Sequence, residues 1–195
     1  MNSVRKSILL GAASLIGVIG MGVTGAGAAP VHHVHASAMS AHAATTKKLS
    51  FSGTYNGTVK ILWGSTGASG TMSGSGKGTT LGAGSMSAKG ATKSFSTSSS
   101  SDPLSGTAVL KGAGGSISVS ALSVMASTTS SAAPTSAAPD PVTISGTVKV
   151  TKGTGKFAGA TGTLSVHATF TVNTTTGNES QTFNATLKGS LSVKA

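Results

Sequence analysis

The segment VTISGTVKVTKGTGKFAGATGTLSVHATFTV, residues 142–172, decides the fold class of this chain. Its apolar and polar side chains alternate over residues 142–151 and again from residue 164, and the pattern returns in residues 183–193. A period of two places the apolar side chains on one face, which is typical of antiparallel strands buried on one side. TTTGN, residues 174–178, has the composition of a hairpin turn between the last two strands.

Shorter alternating stretches extend this pattern toward the N-terminus, at residues 51–63, 104–110 and 117–121. Residues 64–90 are rich in Gly, Ser and Thr, and their strand register stays open at this stage. Residues 49–195 contain no helical stripe of useful length and no fixed repeat of roughly 20 to 50 residues, which argues against a solenoid or a propeller. The sequence therefore predicts an all-β domain, residues 49–195, built as a single antiparallel β-barrel of about eight strands.

The N-terminal residues have the pattern of a secretory signal peptide. Arg5 and Lys6 precede an apolar run, and Ala26-Gly27-Ala28 forms an A-x-A cleavage site. We expect residues 1–28 to be removed after Ala28, so that the mature protein is secreted and extracellular, with no membrane span. The chain has no cysteine, so disulfides and thiolate metal sites are excluded and packing alone must hold the barrel together.

Two further segments lack the pattern of strands. Residues 29–48 are predicted to form a disordered tail rich in His and Ala, and residues 127–141, rich in Ser, Ala and Pro, a flexible surface loop of the barrel domain. The tail carries His32, His33 and His35, side chains that can chelate a divalent metal. Nothing in the sequence orients these rings, so we expect neither a dedicated metal site nor a cofactor.

The glycines of GTGKFAGATG, residues 153–162, have two explanations: a phosphate-binding loop or a structural turn. A dinucleotide-binding loop needs G-x-G-x-x-G before a helix, whereas here the third glycine comes one residue late and a strand follows. The segment GSGKGTT, residues 74–80, lacks the first glycine of a phosphate loop and also lacks the helix. We therefore predict a structural turn with Phe157 folded back to close one end of the barrel, and with turn glycines at Gly153, Gly155, Gly159 and Gly162.

The strand–turn–strand segment that contains these glycines, residues 146–170, resembles the signature of the allene oxide cyclase and dirigent-like β-barrel superfamily. The resemblance rests on Gly153, Gly155, Phe157, Gly159, Ala160 and Gly162 and covers about 25 residues. It implies an eight-stranded antiparallel barrel, a homotrimer, and a cavity that holds a small apolar molecule. On this basis the predicted ligand-binding residues of the barrel interior are Tyr55, Trp63, Phe157, Phe170 and Phe183.

The sequence offers no set of residues for acid–base or nucleophilic catalysis within its predicted strands. Asp102 and Asp140 are predicted in loops beside prolines, and Glu179 beside a hairpin turn. His167 lies on the polar face of its strand, where no Ser-His-Asp triad or pair of carboxylates is expected. The catalytic residues are therefore unknown, and a non-catalytic role is favoured.

Charge suggests what the outer surface contacts. The formal net charge is +11, and every basic residue after Lys6 is a lysine. Lysines spread along strands keep a sheet surface soluble, and they also attract anionic cell-wall polymers or lipid head groups. The absence of arginine after Arg5 argues against nucleic acid as a partner.

Three functions remain open from the sequence. The favoured one is a secreted dirigent-like barrel that binds, or guides the chemistry of, a small apolar molecule without catalysing a reaction. The first alternative is a cyclase or isomerase of the allene oxide cyclase type, because confinement alone contributes to such reactions. The second is a cell-wall or surface-associated interaction protein held by its lysines.

Overall fold

The computed structural model describes residues 45–93, 101–130 and 132–195. The predicted signal peptide and most of the predicted tail, with His32, His33 and His35, lie outside the described residues. The described chain forms eight strands and one closed antiparallel barrel, so the predicted fold class is confirmed. The strands are β1 (Thr46–Trp63), β2 (Ala68–Gly78), β3 (Gly82–Thr92), β4 (Ser101–Gly112), β5 (Gly115–Thr128), β6 (Asp140–Gly155), β7 (Thr161–Val172) and β8 (Asn178–Lys194).

Each strand pairs with the next in sequence, and β8 closes the barrel on β1. Stepping from Ser50 on β1 through β8 and then through each neighbouring strand in turn leads back to β1 at Lys60, ten residues farther on. The paired residues along this path are Ser50, Ser190, Thr163, Lys149, Ser120, Thr107, Lys89, Thr71 and Lys60. An eight-stranded barrel with this stagger has strands tilted by about 40° from its axis.

The two ends of the barrel differ in the length of their connections. At one end, called the closed end, β1 begins and the turns of residues 79–81, 113–114 and 156–160 join the strands. At the other, called the open end, the connections are residues 64–67, 93–100, 129–139 and 173–177. The two longest connections, residues 93–100 and 129–139, both join strands at the open end.

Large side chains fill the closed end. Fully buried residues there come from both the strands and the turns, and they are Phe51, Tyr55, Leu81, Leu110, Ile117, Phe157, Leu164 and Leu191. Phe157 is 1% exposed although it lies in a surface turn, as expected for a residue that folds back over the barrel end. Burial of a phenylalanine side chain stabilises a fold by about 1.5–3 kcal/mol, so this turn adds to the core.

The 153–162 segment comprises the end of β6, the turn of residues 156–160 and the start of β7. Of the four predicted turn glycines, Gly159 lies in the turn itself, and the others lie at the adjoining strand ends. Gly155 and Gly159 have φ angles of 60° and 70°, a conformation that side chains with a Cβ rarely adopt. A Cβ at Gly153 would overlap the carbonyl oxygen of Phe157, so this glycine lets the turn lie close against its own strand. The backbone N–H of Ala160 donates to the carbonyl of Phe157 at 2.9 Å, which holds the turn closed.

The glycine-rich stretch of residues 64–90 forms the hairpin of β2 and β3. Its inward positions are occupied by glycine because the strands approach closely: a Cβ at Gly74 or Gly76 would overlap a carbonyl oxygen of β1. GSGKGTT, residues 74–80, therefore belongs to the end of β2 and the following turn, and no helix follows it. Because glycine replaces apolar residues at these inward positions, the sequence of β2 and β3 does not show the alternation of an ordinary strand.

Three predicted boundaries differ from the structure. β1 begins at Thr46 and thus includes the last residues assigned to the tail. The Ser/Ala/Pro-rich loop spans residues 129–139, since β5 continues to Thr128 and β6 begins at Asp140.

Within the described residues, no helix is long and apolar enough to cross a bilayer.

Candidate ligand cavity

The interior of the barrel is hollow toward its open end. A cavity of about 170 Å³ lies there, and all eight strands contribute to its wall. The wall is formed mainly by apolar side chains. Examples from six different strands are Met72, Ala88, Leu104, Val124, Ile144 and Phe170. Every second side chain of a barrel strand points inward, so the alternating apolar residues of the strands together form this wall.

Small side chains create the empty space. The wall includes eight alanines, which are Ala68, Ala88, Ala91, Ala108, Ala121, Ala126, Ala168 and Ala185. At the closed end the equivalent inward positions carry phenylalanine, leucine and isoleucine and are fully buried. Around the cavity, inward-facing Met72, Leu104, Val166 and Phe170 are only half-buried. The barrel is therefore packed at one end and accessible at the other.

Asp102 places a carboxylate on the cavity wall. It is the second residue of β4, on the same inward face as Leu104, and it is 8% exposed. The prediction that Asp102 lies in a loop is wrong, because pairing with Ala126 of β5 extends the strand through the Asp-Pro step. Among the described residues it is the only carboxylate on this wall.

The other two acidic residues also occupy strand beginnings at the open end. Asp140 is the first residue of β6 and 5% exposed, and its Oδ1 accepts a hydrogen bond from the Thr129 hydroxyl at 3.1 Å. Glu179 is the second residue of β8. Asp140 therefore lies in a strand and not in a loop as predicted, whereas Glu179 lies beside the hairpin turn of residues 173–177, as predicted; neither belongs to the wall of the cavity.

Glu179 holds the mouth of the cavity together. Pairing between β7 and β8 stops at Thr169 and Asn184, which leaves the last part of this hairpin without a ladder. The Glu179 carboxylate bridges the gap: Oε1 accepts from Trp63 Nε1 at 3.1 Å, and Oε2 accepts from the backbone N–H of Asn173 at 2.9 Å. Gln181 Nε2 also donates to Oε2 at 3.1 Å. Hydrogen bonds to a charged acceptor are stronger than neutral ones, so this network fixes the Trp63 ring at the mouth.

The five predicted ligand-binding residues fall into two groups. Trp63 and Phe170 lie on the wall of the cavity. Tyr55, Phe157 and Phe183 are each 1% exposed and belong to the packed core. The Tyr55 hydroxyl is buried without a hydrogen-bond partner among the described residues, and its burial raises the pKa of this phenol above the ordinary value.

The wall has the chemistry of a binding site for an apolar molecule. His167 is exposed on the outer face of β7, as predicted, so it is remote from the cavity. The described part of the chain contains no group of three or more residues suited to hold a metal ion. Asp102 is thus the one carboxylate that the described residues bring to the cavity, and Lys89 is the other ionisable residue of its lining.

Sequence reasoning missed Asp102 and the alanines of the wall. An Asp-Pro step ordinarily marks a turn, and the alternation of Asp102 with Leu104 and Ala108 was the signal that β4 starts earlier.

Comparison of the chain with protein-family models, with curated proteins and with solved structures finds no match. The resemblance to the allene oxide cyclase and dirigent-like superfamily therefore stays a prediction.

Proposed function

We propose that this protein is a secreted, non-catalytic barrel that binds one small apolar molecule in the cavity of its open end. The single observation that carries the proposal is the contrast between the two ends. Fully buried phenylalanines and leucines fill the closed end, whereas alanines surround an accessible space at the other. An empty apolar space costs stability, so a protein that keeps one has a use for it.

The volume sets the size of the molecule. At about 170 Å³, the cavity is close to the apolar cavity of about 150 Å³ that binds benzene in an engineered protein. A monocyclic or short branched molecule therefore fits, while a long fatty acid does not fit entirely within the wall. Transfer of its surface from water supplies the driving force, at about 25 cal/mol per Å² of apolar area.

Asp102 adds a preference within this class. Its carboxylate lies on the wall close to the mouth, where β4 begins. A ligand that carries a hydroxyl or an amine at one end would donate to this carboxylate while its apolar body enters the space between the alanines. We expect such ligands to bind more tightly than hydrocarbons of the same size.

Isothermal titration with toluene, 2-phenylethanol and 2-phenylethylamine tests the proposal. We expect all three to bind and the amine to bind most tightly, with a change in the fluorescence of Trp63, the one tryptophan of the chain. Ala88→Leu fills the cavity from β3 and should abolish binding. Ala83→Leu is the matched control, because Ala83 is exposed on the same strand and lies outside the cavity wall. Equal binding by both variants would refute the assignment.

An isomerase or cyclase activity is the second candidate, and Asp102 is the observation that favours it. A single buried carboxylate in an apolar enclosure can act as a general acid or base. Asp102→Asn separates the two functions: it should leave toluene binding unchanged, and it would abolish turnover only if the protein is an enzyme. Turnover of an unsaturated epoxide by the wild-type protein, lost in Asp102→Asn, would replace the non-catalytic proposal.

A further inference from the structure

Charge is divided between the two ends of the barrel. All twelve lysines of the described residues are exposed, whereas all three carboxylates are partly or fully buried. The carboxylates are the first or second residues of β4, β6 and β8, at the open end. Of the lysines, only Lys60, Lys89 and Lys93 lie nearer the open end than the closed end. The outer surface of the described chain thus carries no exposed negative side chain to neutralise its lysines.

Five of these lysines lie around the closed end and are called the basic rim: Lys47, Lys48, Lys152, Lys156 and Lys194. Lys47 and Lys48 begin β1, which pairs with the end of β8 through Thr46 and Lys194. The aliphatic part of Lys194 lies over the β6–β7 turn, where a Cβ at Gly159 would be 3.3 Å from Lys194 Cε. That same turn carries Lys156, whose aliphatic part lies against the β4–β5 turn, where a Cβ at Gly114 would be 3.4 Å from Lys156 Cδ. The rim lysines are therefore spread around the closed end.

We propose that the basic rim docks the barrel, closed end first, on the surface of an anionic lipid bilayer. The rim lies across one end of a cylinder, a shape that matches a plane of phosphates. A linear polyanion would need a continuous row of lysines along the barrel wall, whereas the lysines that share one row, Lys60, Lys89 and Lys149, are separated from one another by hydroxyl residues. Lysine is suited to this role because it attracts phosphate as a point charge without a fixed geometry.

Among the described residues, the closed end has no large apolar side chain that is exposed to enter a bilayer. Its large apolar side chains are buried, and the exposed large hydrophobic residues of the described chain, Leu62 and Leu122, lie elsewhere. Docking is therefore electrostatic and confined to the head groups, and it is screened by salt. The residues that precede β1 join the barrel at this same end, because β1 begins there.

Docking through the rim points the cavity away from the bilayer. Lys47 and Trp63 are the second and the last residues of β1. At about 3.3 Å per residue and a tilt of about 40°, they are separated by roughly 40 Å along the barrel axis. The mouth with Trp63 then faces the aqueous phase, where a small molecule can enter. This orientation does not depend on which ligand the cavity binds.

Vesicle flotation with the full chain tests the proposal. One variant replaces Lys47, Lys48, Lys156 and Lys194 by glutamine, and the matched control replaces Lys60, Lys89, Lys149 and Lys188, so both have the same net charge. Both keep residues 1–44, so any affinity of that segment for vesicles cancels in the comparison. Each lysine near an anionic bilayer strengthens binding about fivefold, so the rim variant should bind equimolar phosphatidylcholine–phosphatidylglycerol vesicles several hundred times more weakly than wild type. The control variant should lose less than about tenfold, because its lysines lie along the barrel wall and not at the rim that meets the head groups, so salt screens more of their attraction.

Three results would overturn the proposal. The first is equal binding of the wild-type chain to pure phosphatidylcholine vesicles. The second is an equal loss in both variants, which would mean that net charge alone acts and that the rim is not the docking surface. The third is strong quenching of Trp63 by brominated lipids, which would place the open end against the bilayer; the proposal predicts no quenching.

Discussion

Removal of the Tyr55 hydroxyl should stabilise the barrel. The side chain is 1% exposed, and its oxygen has no hydrogen-bond partner among the described residues. It packs against backbone: a Cβ at Gly78 would lie 3.3 Å from the hydroxyl oxygen, and one at Gly53 would lie 2.9 Å from the Tyr55 ring. A buried hydroxyl without a partner costs about 1–3 kcal/mol. Tyr55→Phe keeps the ring and removes that cost, while the small void left behind offsets part of the gain.

We expect a net stabilisation of about 1 kcal/mol, equivalent to a rise of about 2–4 °C in Tm for a domain of this size. Differential scanning calorimetry and urea unfolding at neutral pH measure it directly. A loss of stability of about 1 kcal/mol or more would refute the reasoning, because it would mean that the hydroxyl is hydrogen-bonded, for example to a buried water.

The pH dependence of the same variant gives an independent check. Burial raises the pKa of Tyr55 in the folded state above its value in the unfolded chain, near 10. Above that pH the unfolded chain binds fewer protons than the folded one, so this contribution to stability falls as pH rises. Wild type should therefore lose stability between about pH 10 and the raised pKa, relative to Tyr55→Phe. Parallel pH profiles would contradict the burial of the phenol.

Three other substitutions test the packing and the mouth of the cavity. Phe157→Ala should lower the free energy of unfolding by about 3–5 kcal/mol in urea titrations, since it empties a buried site; a change below about 1 kcal/mol would contradict closure by Phe157. Glu179→Ala removes the acceptor of the hydrogen bonds from Trp63, Asn173 and Gln181. We expect the free energy of unfolding to fall by about 2–4 kcal/mol and the emission spectrum of Trp63 to shift. An unchanged emission spectrum would contradict the network. Asp102→Asn should weaken binding of 2-phenylethylamine relative to toluene by about tenfold, the scale of one charge-assisted hydrogen bond, as measured by titration; an equal effect on both ligands would contradict the contact.

The sequence predicts the C-terminal half of the barrel well because its alternation is complete. Residues 142–151 and 164–172 place valine, leucine and phenylalanine at every second position, so the inward face is evident from polarity alone. The segment of residues 153–162 is also predicted well, because its glycines and its single large apolar residue, Phe157, are typical of a tight turn between two strands. These features required no knowledge of the partner strands.

The N-terminal half could not be predicted in the same way because its inward positions are small. In β2 and β3, Gly74, Gly76 and Gly84 face inward where neighbouring backbones approach closely. That requirement comes from strands distant in sequence, so polarity does not reveal it. Asp102 was misplaced for a related reason: the Asp-Pro step signals a turn locally, while pairing with β5 keeps it in a strand.

The cavity itself depends on the register between strands. The stagger of ten residues aligns alanines from six strands around the open end and large residues around the closed end. The sequence lists the same alanines, but their meeting at one level of the barrel follows from the pairing. Hence inward-facing aromatic residues were predicted as one group, although the structure divides them between cavity and core.

A crystal under xenon pressure tests most directly whether one end of this barrel is hollow and apolar. Xenon occupies dry apolar cavities of this size and gives strong diffraction signals. We expect a xenon site between Ala88, Ala108 and Ala168 at the open end, with none near Phe157, and a loss of that site in Ala88→Leu. A barrel interior without xenon, or a site at the closed end alone, would contradict the account.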